Sequence, residues 1–297
     1  MHSRFLIAAL FLAPLVPAVA QQKVDIRRAT TSDVSIRLGG AFASLKVIAW
    51  PVDSIALTGA VGAGHRLEGG ALHPTGVTSG MKFFIESAAD ASTAGNRLEL
   101  RVPRNARVWV KTGSADIDVA GVAGGLDLNI IGGSIRVNGK PRELLVESMD
   151  GAVTFSGYAD YARLKTATGN ITLDGGGEDL SLMTVSGVIQ AANGERPLHR
   201  ARFESVTGPI TYVGMPSPRA DIRIDTHSGG IELRFPKPAN LELDAETITG
   251  MIENAWSDRR PIAGREGRGM ELAFSSGMGS ARVQVKSFKG NVRLTTN

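Results

Sequence analysis

A short pattern of alternating apolar and polar residues repeats along the C-terminal two thirds of the chain. Alternation with a period of two is typical of β-strands that bury one face. The repeats align on one position, which is held by Ala115 and then by Gly133, Gly151, Gly169, Gly187, Gly208, Gly229, Gly250 and Gly290. The successive steps from 115 are 18, 18, 18, 18, 21, 21, 21 and 40 residues. Such regular self-similarity indicates a repeat architecture.

Each repeat predicts two short strands joined at a corner. Two residues after the glycine position stands a β-branched apolar residue, such as Ile171, and a second alternating pair precedes the glycine, such as Ala162 and Leu164. A Thr or Ser stands three residues before the glycine position in every repeat except that of Ile130. These hydroxyls can bond to backbone groups that a turn leaves unpaired. We therefore interpret the eight glycines as structural turn residues, which tolerate a positive φ or the close approach of the next coil.

Repeats of this length favour a solenoid. A βαβ unit needs about 30 residues, so an 18-residue unit is too short for one. We predict an all-β fold, namely a parallel single-stranded β-solenoid (β-helix-like) with 18- to 21-residue coils and one continuous core. In this fold, Ile171 pairs in parallel with residues near 153 and 189. A left-handed hexapeptide helix is the second interpretation, although no six-residue repeat is visible.

The first residues predict export. Residues 1–20 form a predicted signal peptide, with Arg4 before an apolar run and a cleavage site at Ala18-Val19-Ala20. The mature chain would then begin at Gln21. A retained membrane anchor is the alternative, but the run is short for a bilayer span.

Two further segments complete the predicted organisation. Residues 21–107 keep the alternation without the period, and we interpret them as an irregular β region, either early coils or an N-terminal cap. Within them, 59–80 is rich in glycine and predicts a long loop, and 83–85 predicts a short buried strand. Residues 108–297 form the predicted regular solenoid, interrupted by a capping loop at 255–281 that would cover exposed strand edges.

Composition excludes several functional classes. The chain has no Cys, which excludes disulfides, thiolate metal sites and Cys nucleophiles. It has 33 Lys and Arg against 29 Asp and Glu, without a basic run or aromatic–basic interleaving, so we expect no nucleic-acid partner. No transmembrane segment is predicted in the mature chain. The histidines do not cluster, and no metal, cofactor or catalytic motif is present, so no such site is predicted. His227 occupies a position that is apolar in other repeats, which predicts a buried or half-buried packing residue.

Carboxylates are the remaining candidates for chemistry. They form two groups, which are Asp116, Asp118 and Asp127, and then Asp225, Glu232, Asp244 and Glu246. Paired carboxylates cleave glycosidic bonds, but these residues alternate with apolar ones and therefore belong to outward, solvated faces. A groove that gathers acidic residues, with a raised pKa for one of them, would favour an enzyme. A smooth surface of mixed charge would favour a binding role.

The recurring Thr/Ser-x-Ser/Thr-Gly-x-Ile units, as at 166–171 and 184–189, resemble those of a bacterial family of exported β-strand-repeat proteins of unknown function, labelled "putative adhesins". Residues 287–294 resemble the last coil of that family, and 47–57 resemble its opening. The resemblance implies a non-enzymatic, exported cell-envelope scaffold for display or binding, located in the periplasm, on the outer surface or in the medium. The expected partner is an envelope polysaccharide or another envelope protein. A polysaccharide-cleaving β-helix enzyme and an envelope-stress signalling component are the two alternatives.

Overall fold

The computed structural model describes residues 21–73, 75–264 and 267–297. The predicted signal peptide lies outside these ranges. Within them the chain is all-β, as predicted, with a short 3₁₀ turn at Thr93–Gly95. The strands are β1 (Gln22–Gly40), β2 (Ser44–Trp50), β3 (Ser54–Val61), β4 (His65–Ala71), β5 (Thr78–Ser87), β6 (Arg97–Pro103), β7 (Arg107–Lys111), β8 (Ser114–Ala120), β9 (Gly125–Ile130), β10 (Gly132–Gly139), β11 (Glu143–Ser148), β12 (Ala152–Thr166), β13 (Ile171–Thr184), β14 (Ile189–Gly194), β15 (Leu198–Ser205), β16 (Ile210–Gly214), β17 (Asp221–Thr226), β18 (Ile231–Phe235), β19 (Leu241–Thr247), β20 (Ile252–Asn254), β21 (Ile262–Ala263), β22 (Met270–Ser276), β23 (Ala281–Ser287) and β24 (Val292–Thr296).

Successive repeats stack through parallel strand pairs. Each repeat places its first strand in one column, such as β15, β17 and β23, and its second strand in another, such as β16, β18 and β24. Strands β12 and β13 are long enough to contribute to both columns. Ile171 pairs in parallel with Val153 and Ile189, which confirms the predicted register.

The apolar columns form one core between the two strand columns. Ile171, Ile210 and Ile231 are almost fully buried, as are their equivalents before the corner. Aromatic rings extend this core toward the C-terminal end, with neighbouring centroids 5.6–6.4 Å apart along Phe203, Tyr212, Phe235, Trp256 and Phe274. The buried Tyr212 hydroxyl donates to Asn193 Oδ1 at 3.1 Å, so the ring adds apolar area without leaving its polar atom unpaired.

The glycine column is explained by close approach. A Cβ on Gly208 would overlap the carbonyl oxygen of Gly187, and the same overlap recurs along the stack. The pairs of glycine and obstructing residue are Gly133 with Ala115, Gly151 with Gly133, Gly169 with Gly151, Gly187 with Gly169, Gly229 with Gly208, Gly290 with Gly229 and Gly250 with Gly290. Of the eight, only Gly133 has a positive φ, at 97°. Space for the neighbouring repeat, rather than backbone conformation, therefore requires glycine at most of these corners.

Stacking order departs from chain order at both ends. The repeat of β23 and β24 lies between the repeat of β17 and β18 and the repeat of β19 and β20. At the other end, β1 and β2 lie between the repeat of β5 and β6 and that of β7 and β8. The first and last repeats of the described chain are thus each one place inside the stack. Simple chain order therefore holds only in the middle of the stack.

The ends are also where antiparallel pairs occur. At the N-terminal end β3 pairs with both β1 and β6, and β4 pairs with β5. At the C-terminal end β22 pairs with β19 and β21. The sheet is therefore mixed, and the expectation of purely parallel pairing is wrong there. The predicted loop at 59–80 contains β4, and in the predicted buried strand at 83–85 Phe84 is exposed.

Candidate binding face

The outward side of the first strand column, which we call the first face, carries an exposed apolar row. The row consists of the residues two before each glycine position and is called the corner row. In stacking order its members are Ile131, Met149, Ala167, Val185, Val206, His227, Phe288 and Ile248. Met149, Val185, Val206 and Phe288 are 60%, 51%, 45% and 44% exposed. Apolar side chains at this level of exposure do not serve the core, whose positions are filled separately.

The corner hydroxyls fix the direction of the corner row. Thr184 Oγ1 accepts a hydrogen bond from the Gly187 amide at 3.0 Å, and Thr226 Oγ1 accepts one from the Gly229 amide at 2.9 Å. Each threonine is buried and closes a tight turn over the next three residues. Because the threonine side chain points inward, the residue that follows it points outward.

His227 is exposed in this row, so the prediction of a buried or half-buried residue is wrong. Its ring stacks on that of Phe288, with centroids 5.0 Å apart and planes within 8°. The two residues become neighbours because β17 pairs with β23 rather than with β19. The sequence spacing contained no signal for this pairing.

A second row, of mainly charged residues, runs beside the corner row, four residues before the glycine positions from Gly169 onward, and is called the charged row. In stacking order it contains Lys165, Met183, Glu204, Asp225, Lys286 and Glu246. The charged row and the part of the corner row from Val185 to Ile248 line a groove with a volume of about 600 Å³. Burial raises the pKa of Asp225, the charge of Glu204 raises it further, and Arg202, Lys286 and Arg223 act in the opposite direction. Glu204 itself forms an ion pair with Arg202.

The carboxylates singled out from the sequence separate onto two faces. Asp116 accepts a hydrogen bond from Ser134 Oγ at 2.6 Å, and Asp118 and Glu232 lie 3.7 and 3.0 Å from Arg136 and Arg234. These three lie on the second strand column. On the first face the groove gathers Asp225 and Glu246 together with Glu204, which the sequence reasoning did not select. A search for like charges four residues before successive glycines would have found it.

A model of the Toastrack DUF4097 family matches residues 21–255. The chain belongs to this family. Two solved structures are similar over 93% of the chain. One is a "putative cell adhesion protein" from Clostridium sporogenes, with 8% identity, 100% of its own chain covered and a TM-score of 0.25. The other is a "putative adhesin" from Bacteroides fragilis, with 10% identity, 99% of its own chain covered and a TM-score of 0.36. No curated protein matches the sequence.

The first face of this Toastrack chain has a second depression near its N-terminal end. The cleft has a volume of about 340 Å³, and the side chains around it are those of Arg37, Lys82, Phe84, Trp109, Lys111 and Asp127. The Arg37 guanidinium lies over the Trp109 ring, 5.5 Å from its centroid. Aromatic and cationic groups thus meet at one place on a β surface.

In the part of the chain that the structure describes, no group of three or more His, Asp or Glu residues is placed to hold a metal ion. No helical segment of this part of the chain is long and apolar enough to cross a membrane.

Proposed function

We propose that this Toastrack protein is a non-enzymatic, exported binding scaffold of the cell envelope. Its stacked repeats form a single-stranded β-solenoid, and its groove binds an extended segment of another envelope protein. The observation that supports this most is the corner row, which exposes apolar side chains over consecutive repeats. Soluble proteins rarely expose contiguous apolar surface, and where they do, the surface often marks an interaction site.

The groove also defines the chemistry of the partner. Val185, Val206 and Phe288 offer apolar contacts, while Glu204, Asp225 and Glu246 outnumber the lysines of the charged row. A segment with apolar side chains and at least one basic side chain is complementary to this lining. Since neighbouring strands are about 4.8 Å apart, the groove offers equivalent contacts at regular intervals to an extended chain.

Site-specific photo-cross-linking in cells tests this proposal. A photoreactive residue at Val206 is expected to give a defined protein adduct, whereas the same residue at the exposed Gln190 on the second strand column is expected to give none. Adding Val185→Asp should abolish the Val206 adduct, since it places a charge in the apolar row. Equal adducts from both positions, or an adduct unaffected by Val185→Asp, would exclude the groove as the binding site. An adduct that glycosidases degrade would favour polysaccharide as the partner.

Asp225 supports a second candidate, cleavage of a polysaccharide. Its raised pKa and its neighbour Glu204 resemble the acid and carboxylate pair of glycoside hydrolysis. We rank this second because the two residues are paired on adjacent strands of one face, whereas glycosidases hold their carboxyl groups on either side of the scissile bond. Release of reducing ends from an acidic or neutral polysaccharide, lost in Asp225→Asn and kept in Asp116→Asn, would establish the enzyme.

A further inference from the structure

We propose that the cleft around Trp109 is a binding site for the carboxylate-bearing sugar of an acidic polysaccharide. It is separate from the groove on the same face and does not depend on the function proposed for that groove.

Strand pairing assembles the cleft from four strands. Arg37 of β1 is paired with Lys82 of β5 on one side and with Trp109 of β7 on the other. Trp109 is paired in turn with Asp127 of β9, the next strand of the stack. In the adjacent row Gly39 stands between Phe84 and Lys111. Residues that are 72 positions apart in the chain, 37 and 109, thus face the same small volume.

The cleft has a surplus of positive charge. Arg37, Lys82 and Lys111 are exposed, and none forms an ion pair with another described residue. Among the described residues that line the cleft, Asp127 is the only carboxylate, and it accepts a hydrogen bond from Asn129 at 2.6 Å. Glu68, opposite Phe84 on β4, is already ion-paired with Arg66. Three cations therefore face one acid, and an anionic ligand is the complement of this arrangement.

The chemistry of the arginine suits a planar anion. The Arg37 guanidinium makes a cation–π contact with Trp109, 5.5 Å from the ring centroid. A guanidinium presents paired N–H donors that match the two oxygens of a carboxylate, and a lysine supplies a point charge beside it. Lys82 lies directly beside Arg37, and Lys111 lies in the adjacent row beside Gly39.

The aromatic surface indicates that the anion belongs to a larger group. Phe84 is 45% exposed, and its ring lies only 2.9 Å from the position that a Cβ on Gly39 would take. Glycine at 39 thus gives the ring its place beside the cations. A free phosphate would leave the exposed phenyl surface of Phe84 unused. A sugar ring with a carboxylate presents C–H groups to the aromatic carbon and its charge to Arg37, and about 340 Å³ lies within the range of small-ligand sites.

Titration calorimetry of the purified protein with oligogalacturonate and with alginate oligomers tests the proposal. At least one of the two acidic oligomers should bind, and its methyl-esterified form should not. Lys82→Gln/Lys111→Gln should weaken binding about tenfold or more, which corresponds to the loss of a charge-assisted hydrogen bond. The matched control Lys46→Gln/Lys140→Gln removes the same charge from exposed sites elsewhere and should stay within about twofold of the parent, since bulk charge alone contributes little. Phe84→Ala removes no charge and should also weaken binding.

Four outcomes would overturn the site. These are absence of binding to both oligomers, equal binding of the esterified form, equal weakening by the two double variants, and competition by inorganic phosphate combined with no effect of Phe84→Ala. The last would leave a simple anion site without saccharide recognition. Melting temperatures that match the parent would show that the variants remain folded.

Discussion

The middle of the stack and its ends hold their corners in different ways. Repeats from Gly133 to Gly229 stack in chain order, with each glycine from Gly151 onward against the preceding glycine. Buried threonines also bond within the corner, as where Thr184 Oγ1 accepts from the Gly187 amide at 3.0 Å. At the N-terminal end the buried Asn96 takes the glycine position instead. Its side chain accepts from the Gly62 amide at 2.7 Å and donates to the Ala41 carbonyl at 2.8 Å.

This difference reflects the strand neighbours that are available in the middle of the stack and at its ends. In the middle each strand finds an identical neighbour, so one local solution is repeated. An end strand has one unpaired edge, which invites association unless it is covered. Antiparallel strands cover each end of the stack. The first and last repeats of the chain lie one place inside the stack, where their strands have parallel neighbours on both sides.

The largest effect is expected from a charge in the core of the middle repeats. Ile171→Asp should lower the free energy of unfolding by about 3 kcal/mol or more, because it buries an unpaired carboxylate. Thr172→Asp, on the outward side of the same strand, should change it by about 0.5 kcal/mol or less. Denaturant unfolding of both variants measures the contrast. Equal losses would mean that the two faces are assigned wrongly.

The order of repeats at the C-terminal end can be tested by cross-linking. The chain has no Cys, so an introduced pair is unambiguous. Arg223→Cys/Gln284→Cys should form a disulfide, because these residues are direct partners on β17 and β23. The bond should add about 2–4 kcal/mol of stability.

The control pair Arg223→Cys/Asp244→Cys should stay reduced, since β23 separates the two strands. Mass spectrometry after mild oxidation distinguishes the pairs. Oxidation of the control pair instead would show that the repeats at this end stack in chain order.

A smaller effect is expected at the glycine column. Gly208→Ala should cost about 1–3 kcal/mol, because the new methyl group forces two corners apart. At Gly113, in the repeat nearer the N-terminal end, no atom of the described residues lies within 4 Å of the position that a Cβ would take. Gly113→Ala should therefore be neutral or stabilise by up to about 1 kcal/mol. Thermal melts of both proteins provide the comparison, and equal losses would refute close approach as the reason for glycine.

The smallest effect concerns pH. The pKa of Asp225 is raised by burial and by Glu204, so the folded protein holds this proton more tightly than the unfolded chain. As the pH rises above about 3.9, the ordinary value for Asp, the unfolded chain loses the proton first and the fold loses stability until the raised pKa is passed. Asp225→Asn should therefore raise the melting temperature at pH 7, and the gain should shrink as the pH falls through the raised pKa and vanish below about 4.

Melting curves of the parent and Asp225→Asn across this pH range provide the measurement. Asp116→Asn, whose amide oxygen can still accept the hydrogen bond from Ser134, should give no such gain. A gain in melting temperature that does not change with pH would show that the effect of Asp225→Asn does not come from ionisation.

The sequence by itself determined the repeat, its two faces and its buried columns. Ile171 and Thr172 can be assigned to opposite sides because side chains alternate along a strand, which is a local property. The outward placement of Asp116, Asp118 and Glu232 follows in the same way. The glycine column was also visible, although its reason, contact with the next repeat, was one of two possibilities until the stack was known.

Only the tertiary structure decided which repeats are neighbours at the ends. The place of β23 between β17 and β19 depends on how an open edge is covered, and this involves residues about 60 positions apart. Both candidate sites depend on such long-range pairing. His227 meets Phe288 through it, and Arg37 lies between Lys82 and Trp109 through it. Spacing along the chain specifies a strand and its faces, whereas the partner at a sheet edge is selected by the free energy of the whole stack.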